Sequence, residues 1–242
     1  MFIKQSGPVN DNNKIKGIIF DMDNTLFDFV EAKIFACSAI VGYLGKGDAY
    51  ELFRYFRRGE HGFENIENIS DYMKDCGLFS EKSFLECCNI YEKEKVRSVK
   101  LYPGVRNTIK ELQSMDINLA ILTDAEMRNA KARLEKVGLY DCFDSLFTFD
   151  ITGWKKPSHR TFTYALESMR LLPHETLFVG DSLKRDIIPS KQLGMIAAYA
   201  IYGDRNPETG RELIEEKPDH VLENFSDVLK LIRDGKNEEH RL

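Results

Sequence analysis

The sequence predicts an α/β fold, a doubly wound parallel sheet that carries a small all-helical insert. From residue 101 onward, short apolar runs of strand length alternate with segments whose apolar residues recur at helical spacing. Between residues 29 and 100 the pattern is helical throughout, without a convincing strand. Because each crossover helix must cover a face of the sheet, alternating strands and helices predict parallel strand pairing.

The core begins with a short apolar run over residues 14–20, which predicts a buried strand, and it resumes with a helix opened by Pro103 and Gly104. Gly138 ends the helix that starts at Met127. The further predicted strands cover residues 117–123, 146–151, 176–179, 195–201 and 219–222, and the further helices cover 127–137, 187–193, 226–233 and a segment with Phe162, Ala165, Leu166 and Met169 on one face.

The helical insert is predicted to contain four helices, over residues 31–43, 49–57, 67–76 and 80–96. Ser80 is a suitable N-cap for the last of them, and Leu85, Cys88 and Tyr91 suggest its apolar stripe. The predicted domain boundaries are therefore residues 14–28 and 101–234 for the core, 29–100 for the insert, and 1–13 and 235–242 for flexible ends.

Composition narrows the classes of partner. The chain has 242 residues, 43% hydrophobic and 30% charged, with a formal net charge of −5. Nucleic acid and anionic membranes both require a basic face, so we expect neither as the main partner. The N-terminal residues lack the apolar run of a signal peptide, and the five cysteines form no metal-like spacing. These features predict a cytoplasmic protein with reduced thiols.

Two carboxylates, Asp21 and Asp23, come directly after the first predicted strand, in the segment DMDNTL over residues 21–26. Their spacing places both on one side of the extended chain end. Like charges this close require a proton or cation between them, and a hard divalent cation with oxygen ligands suits the pair. The alternative is a solvated turn, since Asp, Asn and Thr are common turn residues.

Two further polar segments follow the next strands. Thr123 and Asp124 end the second core strand, where a hydroxyl and backbone N–H groups can hold phosphate oxygens, although Thr123 could instead cap the next helix. Lys155 and Lys156 precede Pro157 after the third strand. A lysine there can neutralise a phosphate, but most lysine pairs are simply solvated.

The fourth segment, residues 180–186, follows the strand TLFV and contains Asp181 and Asp186. Both carboxylates are available to a metal ion, and either could instead cap a helix. Because ligands of such sheets bind at the carboxyl ends of the strands, four polar segments at four strand ends predict one shared site.

The ordered segments DMDNTL, LTD, KKP and GDSLKRD resemble the four motifs of the haloacid dehalogenase superfamily. This resemblance spans residues 21–186, and the α/β pattern extends it over nearly the whole chain. It implies a Rossmann-like core, and the insert resembles the helical cap of that superfamily. It also implies a magnesium-dependent phosphomonoester hydrolase that forms an aspartyl-phosphate.

By position, the resemblance assigns the nucleophile to Asp21 and the general acid and base to Asp23. Thr123 would hydrogen-bond the phosphoryl group, helped by the backbone of Asp124, where the superfamily often has Asn. Lys156 would be the lysine of the cleft, or Lys155 if the loop is shifted by one residue. The implied magnesium ligands are Asp21, the carbonyl of Asp23, Asp181, and Asp186 as a ligand or a support.

The resemblance narrows the substrate and the reaction type to a few alternatives. The resemblance implies a small phosphorylated metabolite, such as phosphoglycolate, glyceraldehyde 3-phosphate or a sugar phosphate, and a monomer or homodimer. A phosphomutase and a phosphate-responsive regulatory module without turnover are the alternatives. Arg57 and Arg58, in the loop over residues 57–62, are candidates to bind a second anionic group, against the alternative of a solvated helix end.

Overall fold

The structure, a computed structural model, describes residues 15–205 and 217–238. Within these residues six parallel strands form one sheet in the order β3-β2-β1-β4-β5-β6. The strands are β1 Gly17–Phe20, β2 Asn118–Leu122, β3 Ser145–Phe147, β4 Thr176–Gly180, β5 Ile196–Ala200 and β6 His220–Leu222. Every residue of β1 is buried, as expected for a central strand covered on both faces. The predicted doubly wound, Rossmann-like fold is confirmed.

Helices cover both faces of this sheet, and their apolar sides form two hydrophobic clusters with the strands. Ile18 of β1 packs in one cluster and Ile19 in the other, because successive side chains point to opposite faces. The core helices are α5 Val105–Gln113, α6 Met127–Lys136, α7 Phe149–Thr152, α8 His159–Met169, α9 Ile188–Gln192 and α10 Val228–Glu238.

The strand predicted over residues 146–151 is partly wrong. β3 ends at Phe147, and the chain turns into the short helix α7. The Thr148 carbonyl accepts a hydrogen bond from Thr152 N at 2.9 Å, and the Thr148 hydroxyl donates to Asp150 Oδ1 at 2.7 Å. A short apolar run does not distinguish a buried strand from a buried helical turn, which explains the error.

In residues 29–97 the structure has four helices, namely α1 Phe29–Leu44, α2 Ala49–Arg57, α3 Glu67–Asp75 and α4 Glu81–Arg97. They share a hydrophobic cluster of their own, separate from the clusters at the sheet. Ser80 caps α4 by accepting a hydrogen bond from Ser83 N. The apolar stripe of α4 differs from the prediction at Leu85, which is 58% exposed, while Cys87 and Tyr91 are buried. Of the predicted stripe, Tyr91 lies in the cluster and Cys88 packs against it, so only Leu85 turns to solvent.

At the C-terminal end, α10 extends to Glu238, beyond the predicted limit of residue 233. Of the predicted flexible ends, residues 235–238 belong to α10, while residues 1–13 and 239–242 lie outside the described residues. No helix in the described ranges is both long and apolar enough to cross a bilayer. The cysteines are free thiols.

Lys33 of α1 is fully buried among aromatic rings of the insert. Its ammonium lies 4.3 Å from the ring centroid of Phe56 and 3.3 Å from that of Phe63, and it donates a hydrogen bond to the Phe63 carbonyl. Burial lowers the pKa of Lys33 from 10.5 to about 7, although the nearby carboxylate of Glu64 opposes this change.

The lowered pKa predicts a pH-dependent stability. Above about pH 7 the unfolded chain keeps the Lys33 proton while the folded chain releases it, so folded stability rises with pH toward 10.5. Replacing Lys33→Met removes this dependence. We therefore expect the variant's free energy of unfolding, relative to the parent, to fall by on the order of 2 kcal/mol between about pH 6 and about pH 9.

Urea unfolding of both proteins at the two pH values measures this difference. Lys46→Met changes an exposed lysine of the insert and should show the same offset at both pH values. A Lys33→Met offset that does not change with pH would mean that Lys33 keeps its proton in the folded protein.

Candidate active site

Asp21 follows the last residue of β1 and continues its ladder, since Asp21 N donates to the Val179 carbonyl at 2.8 Å. The side chain is buried, and each carboxylate oxygen is held by a different donor. Thr25 Oγ1 donates to Oδ2 at 3.0 Å, and Lys156 Nζ donates to Oδ1 at 2.5 Å. The carboxylate therefore has a fixed orientation at the carboxyl edge of the sheet.

The loop after β1 turns sharply at Asn24, a residue with a φ of 63°. Its side-chain oxygen accepts hydrogen bonds from Phe29 N and Val30 N, at 3.0 and 3.1 Å, at the start of α1. Gly203 packs against this loop so closely that a Cβ there would lie 1.7 Å from the Asn24 carbonyl oxygen. These contacts fix the backbone that carries Asp21 and Asp23.

Lys156 is the lysine whose ammonium enters the cluster of carboxylates. Its Nζ contacts Asp21 and also donates to Asp186 Oδ1 at 2.6 Å. Burial alone would lower the pKa of Lys156, but the carboxylates of Asp186 and Asp21 raise it well above its usual range. Lys155 points elsewhere, with its ammonium 4.6 Å from the ring centroid of Phe149.

The Asp124 carboxylate connects two neighbouring loops. It accepts a hydrogen bond from Lys156 N at 2.8 Å and one from Arg185 Nη2 at 2.5 Å. The predicted role of Asp124 was limited to its backbone, because an inward carboxylate would repel phosphate. The ion pair with Arg185 shows where that charge is neutralised, and the side chain holds the backbone that positions Lys156.

Thr123 is buried at the end of β2. Its hydroxyl accepts a hydrogen bond from Ala125 N at 3.2 Å. It is not the cap of α6, because the N-cap position of that helix is Glu126. The hydroxyl proton of Thr123 remains available to a ligand in the cleft.

Three carboxylates, from Asp21, Asp181 and Asp186, lie close enough to hold one cation, with an oxygen of each within 4.8 Å of the others. Asp186 reaches the group because a π-helical turn over Leu183–Ile187 brings it back to Ser182 N, and because Gly180 has no Cβ to collide with it. Burial and neighbouring carboxylates raise the pKa values of Asp181 and Asp186. This all-oxygen set fits a hard divalent cation such as Mg²⁺.

Asp23 is not part of that group, because its side chain turns toward α6. Arg133 Nη1 donates to Asp23 Oδ2 at 2.6 Å, and Arg133 Nη2 donates to Glu64 Oε2. Burial raises the pKa of Asp23 to about 6, more than Arg133 lowers it. The predicted metal contact through the Asp23 carbonyl stays a prediction.

A cavity of about 850 Å³ opens above these residues, between the strand ends and the insert. Asp21, Asp23, Thr123, Asp124 and Asp181 all line it. The lining from the insert and the surrounding loops includes Phe53, Phe56, Phe63, Arg57, His61, Glu64, Asn65, Lys155, Arg185 and Arg205.

The two arginines predicted to bind substrate separate in the structure. Arg57 lines the cavity, whereas Arg58 does not. Arg58 forms ion pairs with Asp71 and Glu60, and its guanidinium carbon lies 4.4 Å from the ring centroid of Tyr55. The geometry therefore favours Arg57 over Arg58 as a substrate contact.

Sequence reasoning missed Thr25, Glu64, Arg133 and Arg185. One signal was available for Arg133, which stands on the apolar side of its helix beside Ala130 and Leu134. A charged residue at such a position indicates a buried ion pair, because an unpaired buried charge is costly. No comparable pattern marks Glu64, which lies in a loop.

Comparison with known proteins finds relatives over most of the chain. The model of the haloacid dehalogenase-like hydrolases matches residues 18–200. A glyceraldehyde 3-phosphate phosphatase of Methanocaldococcus jannaschii is 27% identical over 231 residues, covering 93% of this chain and 100% of the relative. A phosphoglycolate phosphatase of Nitrosospira multiformis is 26% identical, covering 90% of this chain and 96% of the relative.

The fold is shared with solved structures as well. The crystal structure of a predicted phosphoglycolate phosphatase from Haemophilus somnus 129PT superposes with a TM-score of 0.71 at 24% identity, covering 90% of this chain and 97% of that one. At this identity the likeness supports the fold, while the family match extends from β1 to β5 and includes all four motifs. The chain belongs to the haloacid dehalogenase-like hydrolase family.

Proposed function

We propose that this chain is a magnesium-dependent phosphomonoester hydrolase that transfers the phosphoryl group of a small metabolite to Asp21. The observation that carries the proposal is the pair Asp21 and Asp23. One is a buried carboxylate held by Lys156 and Thr25, and the other is a carboxyl group whose pKa is raised to about 6 in the same cavity.

In the first step, Asp21 Oδ attacks phosphorus and the bond from phosphorus to the ester oxygen breaks. Protonated Asp23 gives its proton to the departing alcohol oxygen. A pKa near the working pH allows a carboxyl group to act in both directions, as a proton donor and then as an acceptor.

In the second step, Asp23 takes a proton from water while the water oxygen attacks phosphorus. The bond between Asp21 and phosphorus breaks, which releases inorganic phosphate and returns both carboxyl groups to their first state. Lys156 Nζ and the Thr123 hydroxyl neutralise or hydrogen-bond the phosphoryl oxygens during both steps.

The carboxylates of Asp21, Asp181 and Asp186 would hold Mg²⁺ beside the phosphoryl site. When bound, the ion neutralises negative charge on the phosphoryl oxygens and on the three carboxylates. In the described structure, Lys156 is the one buried cation that contacts two of these carboxylates. Without the metal ion, an anionic substrate would therefore meet an excess of negative charge.

The cavity supports a substrate of metabolite size. Its volume of about 850 Å³ lies within the range of small-molecule sites, and its walls combine phenylalanine rings with cationic side chains. Relatives act on glyceraldehyde 3-phosphate and phosphoglycolate, as their names state. We therefore propose short phosphorylated acids, aldehydes and sugars as the substrate class.

A screen of such esters tests the proposal. Phosphate release is measured for phosphoglycolate, glyceraldehyde 3-phosphate and several sugar phosphates, with Mg²⁺ and with excess chelator. We expect magnesium-dependent release from at least one ester, without transfer of the phosphoryl group to a second alcohol. A protein that becomes stably phosphorylated without turnover would instead be a regulatory module.

Magnesium should also stabilise the folded protein. A ligand that binds only the folded state adds about 2.7 kcal/mol at a free concentration of 100 times its Kd. We expect Mg²⁺ to raise the melting temperature of the parent, because three buried carboxylates lie together. Asp181→Asn should lose most of that increase, and Asp141→Asn, an exposed change outside the cavity, should retain it. An equal increase in both variants would place the ion elsewhere.

A further inference from the structure

Arg133 occupies an unusual position for a charged residue. It belongs to α6 of the core, its side chain is 0% exposed, and its guanidinium carbon lies 3.6 Å from the ring centroid of Phe29. Burying a guanidinium costs several kcal/mol unless its charge and its donors are satisfied. An apolar residue at this helix position would fill the space without that cost, so a role in packing alone does not explain Arg133.

The two terminal nitrogens of Arg133 contact two different carboxylates. Nη1 donates to Asp23 Oδ2 at 2.6 Å, and Nη2 donates to Glu64 Oε2. Because the guanidinium is planar and rigid, fixing one nitrogen on Glu64 also fixes the direction of the other. The orientation of the Asp23 carboxyl group is therefore set by residues from α6 and from the loop between α2 and α3.

The second carboxylate oxygen of Asp23 differs from the first in its hydrogen bonding. Asp23 Oδ1 is buried and has no hydrogen-bond partner among the described residues, while the residue lines the cavity. A buried acceptor without a partner is unfavourable, and in native structures it has a specific explanation, such as a bound water, a bound ion or a catalytic role. Oδ2 is thus engaged by Arg133, while Oδ1 meets no donor among the described residues.

We propose that Arg133 is a positioning residue that holds Asp23 for proton transfer, and that Glu64 of the insert holds Arg133. This inference rests on the proposed phosphatase function. In the first step Asp23 Oδ1 gives its proton to the ester oxygen as the phosphorus bond to that oxygen breaks. In the second step Oδ1 takes a proton from the attacking water as the bond between phosphorus and Asp21 breaks.

Glu64 links this positioning to the insert. It accepts hydrogen bonds from Arg133 and, at 3.3 Å, from Lys95 of α4. The charges of Arg133 and Lys95 lower the pKa of Glu64 to about 2, despite its burial, so it stays ionised at neutral pH. The insert thus contributes an anion to the set of contacts that orients Asp23, in addition to its part of the cavity wall.

The test compares phosphoryl transfer from an ester whose leaving group must be protonated with transfer from an ester whose leaving group departs unprotonated. With the parent, Arg133→Met, Arg133→Lys and Glu64→Gln in excess of substrate and with Mg²⁺ present, first-turnover alcohol release is followed by rapid mixing. One substrate is 4-nitrophenyl phosphate, whose leaving group departs without protonation. The other is the best alkyl phosphate from the screen described above.

We expect Arg133→Met to slow alcohol release from the alkyl ester by about 10²-fold, within the range of general acid catalysis. Release of nitrophenolate in the first turnover should stay within about threefold of the parent, since formation of the bond between Asp21 and phosphorus does not use Asp23 as an acid. Arg133→Lys retains the charge but not the two paired nitrogens of the guanidinium, so we expect a partial loss of the alkyl-ester rate. Glu64→Gln should lose less of that rate.

Lys131→Met is the matched control, because Lys131 is on the same helix and its exposed ammonium pairs with Glu135 at 3.7 Å. It should leave both rates unchanged. If Arg133→Met does not fold by circular dichroism, Arg133→Lys and Glu64→Gln provide the comparison.

The outcomes distinguish this inference from the proposed function. An active parent whose Arg133 and Glu64 variants lose both substrates in parallel, or lose neither, overturns the positioning role and leaves the hydrolase intact. A parent that releases alcohol from no phosphate ester overturns both. A selective loss of alcohol release from the alkyl ester supports Arg133 as the residue that orients Asp23. The loss should be largest for Arg133→Met, smaller for Arg133→Lys and smallest for Glu64→Gln.

Discussion

Asp21→Asn is expected to lower magnesium-dependent phosphate release by at least about 10³-fold, since removal of a nucleophile eliminates the covalent route. Asparagine has nearly the same shape, its single oxygen can accept from either Thr25 Oγ1 or Lys156 Nζ, and Lys156 keeps its buried ion pair with Asp186 at 2.6 Å. The fold should therefore persist, and the loss should appear in kcat, with substrate binding changed much less. Steady-state kinetics with the best ester from the screen measure both.

Two further variants make this result decisive. Asp21→Ala cannot regenerate aspartate, so it separates a slow residual activity from deamidation of the asparagine, which mass spectrometry also detects. Asp141→Asn makes the same chemical change at an exposed site outside the cavity and should retain parental activity. If Asp21→Asn hydrolyses esters at the parental rate without reversion, Asp21 is not the nucleophile.

Lys156→Met is expected to have the largest effect on stability. The ammonium of Lys156 contacts Asp21 at 2.5 Å and Asp186 at 2.6 Å, and it is nearly inaccessible to solvent. Removing one partner of a buried ion pair leaves uncompensated charge and costs roughly 3–5 kcal/mol. We expect a loss of that order in the free energy of unfolding at neutral pH, measured with urea in the absence of Mg²⁺.

The same contacts predict how pH and Mg²⁺ change the stability loss caused by Lys156→Met. With Lys156 absent, the pKa values of the remaining carboxylates rise further, so the loss of stability should shrink as pH falls and they become protonated. Added Mg²⁺ should recover part of the loss, because it neutralises the same carboxylates. A loss that is unchanged by pH and by Mg²⁺ would point to packing as the cause.

Lys155→Met is the matched control for stability. The neighbouring ammonium lies 4.6 Å from the centroid of the Phe149 ring, a contact worth about 0.5–1 kcal/mol at such sites. We expect a correspondingly small loss. A larger loss for Lys155→Met than for Lys156→Met would reverse the assignment of the two lysines.

The sequence allowed the α/β fold and the four polar segments to be predicted, because both depend on local patterns. Strand-length apolar runs and helical spacing report which faces are buried, and parallel strands bring their carboxyl ends to one edge. Asp21, Thr123 and Asp181 therefore fall into one site as soon as β1, β2 and β4 are recognised. The choice of Lys156 over Lys155 could be named but not explained at that stage.

Other features depend on contacts between distant segments, which no local pattern records. Leu85 was predicted to be buried and is exposed, because the packing of α4 against α1 selects Cys87 and Tyr91. Phe149 was predicted in a strand and begins a helix. In both cases the local sequence was compatible with more than one arrangement, and packing decided between them.

By itself, the sequence determined the order of strands and helices, the position of the acidic pair after β1, and membership of a family of hydrolases. Only the tertiary structure decided which atoms meet. Arg133 contacts Asp23 across 110 positions of the chain, and Glu64 across 69. Periodicity shows that a side chain is buried, but a buried charge finds its partner only when separate elements pack, since burial makes the pairing necessary.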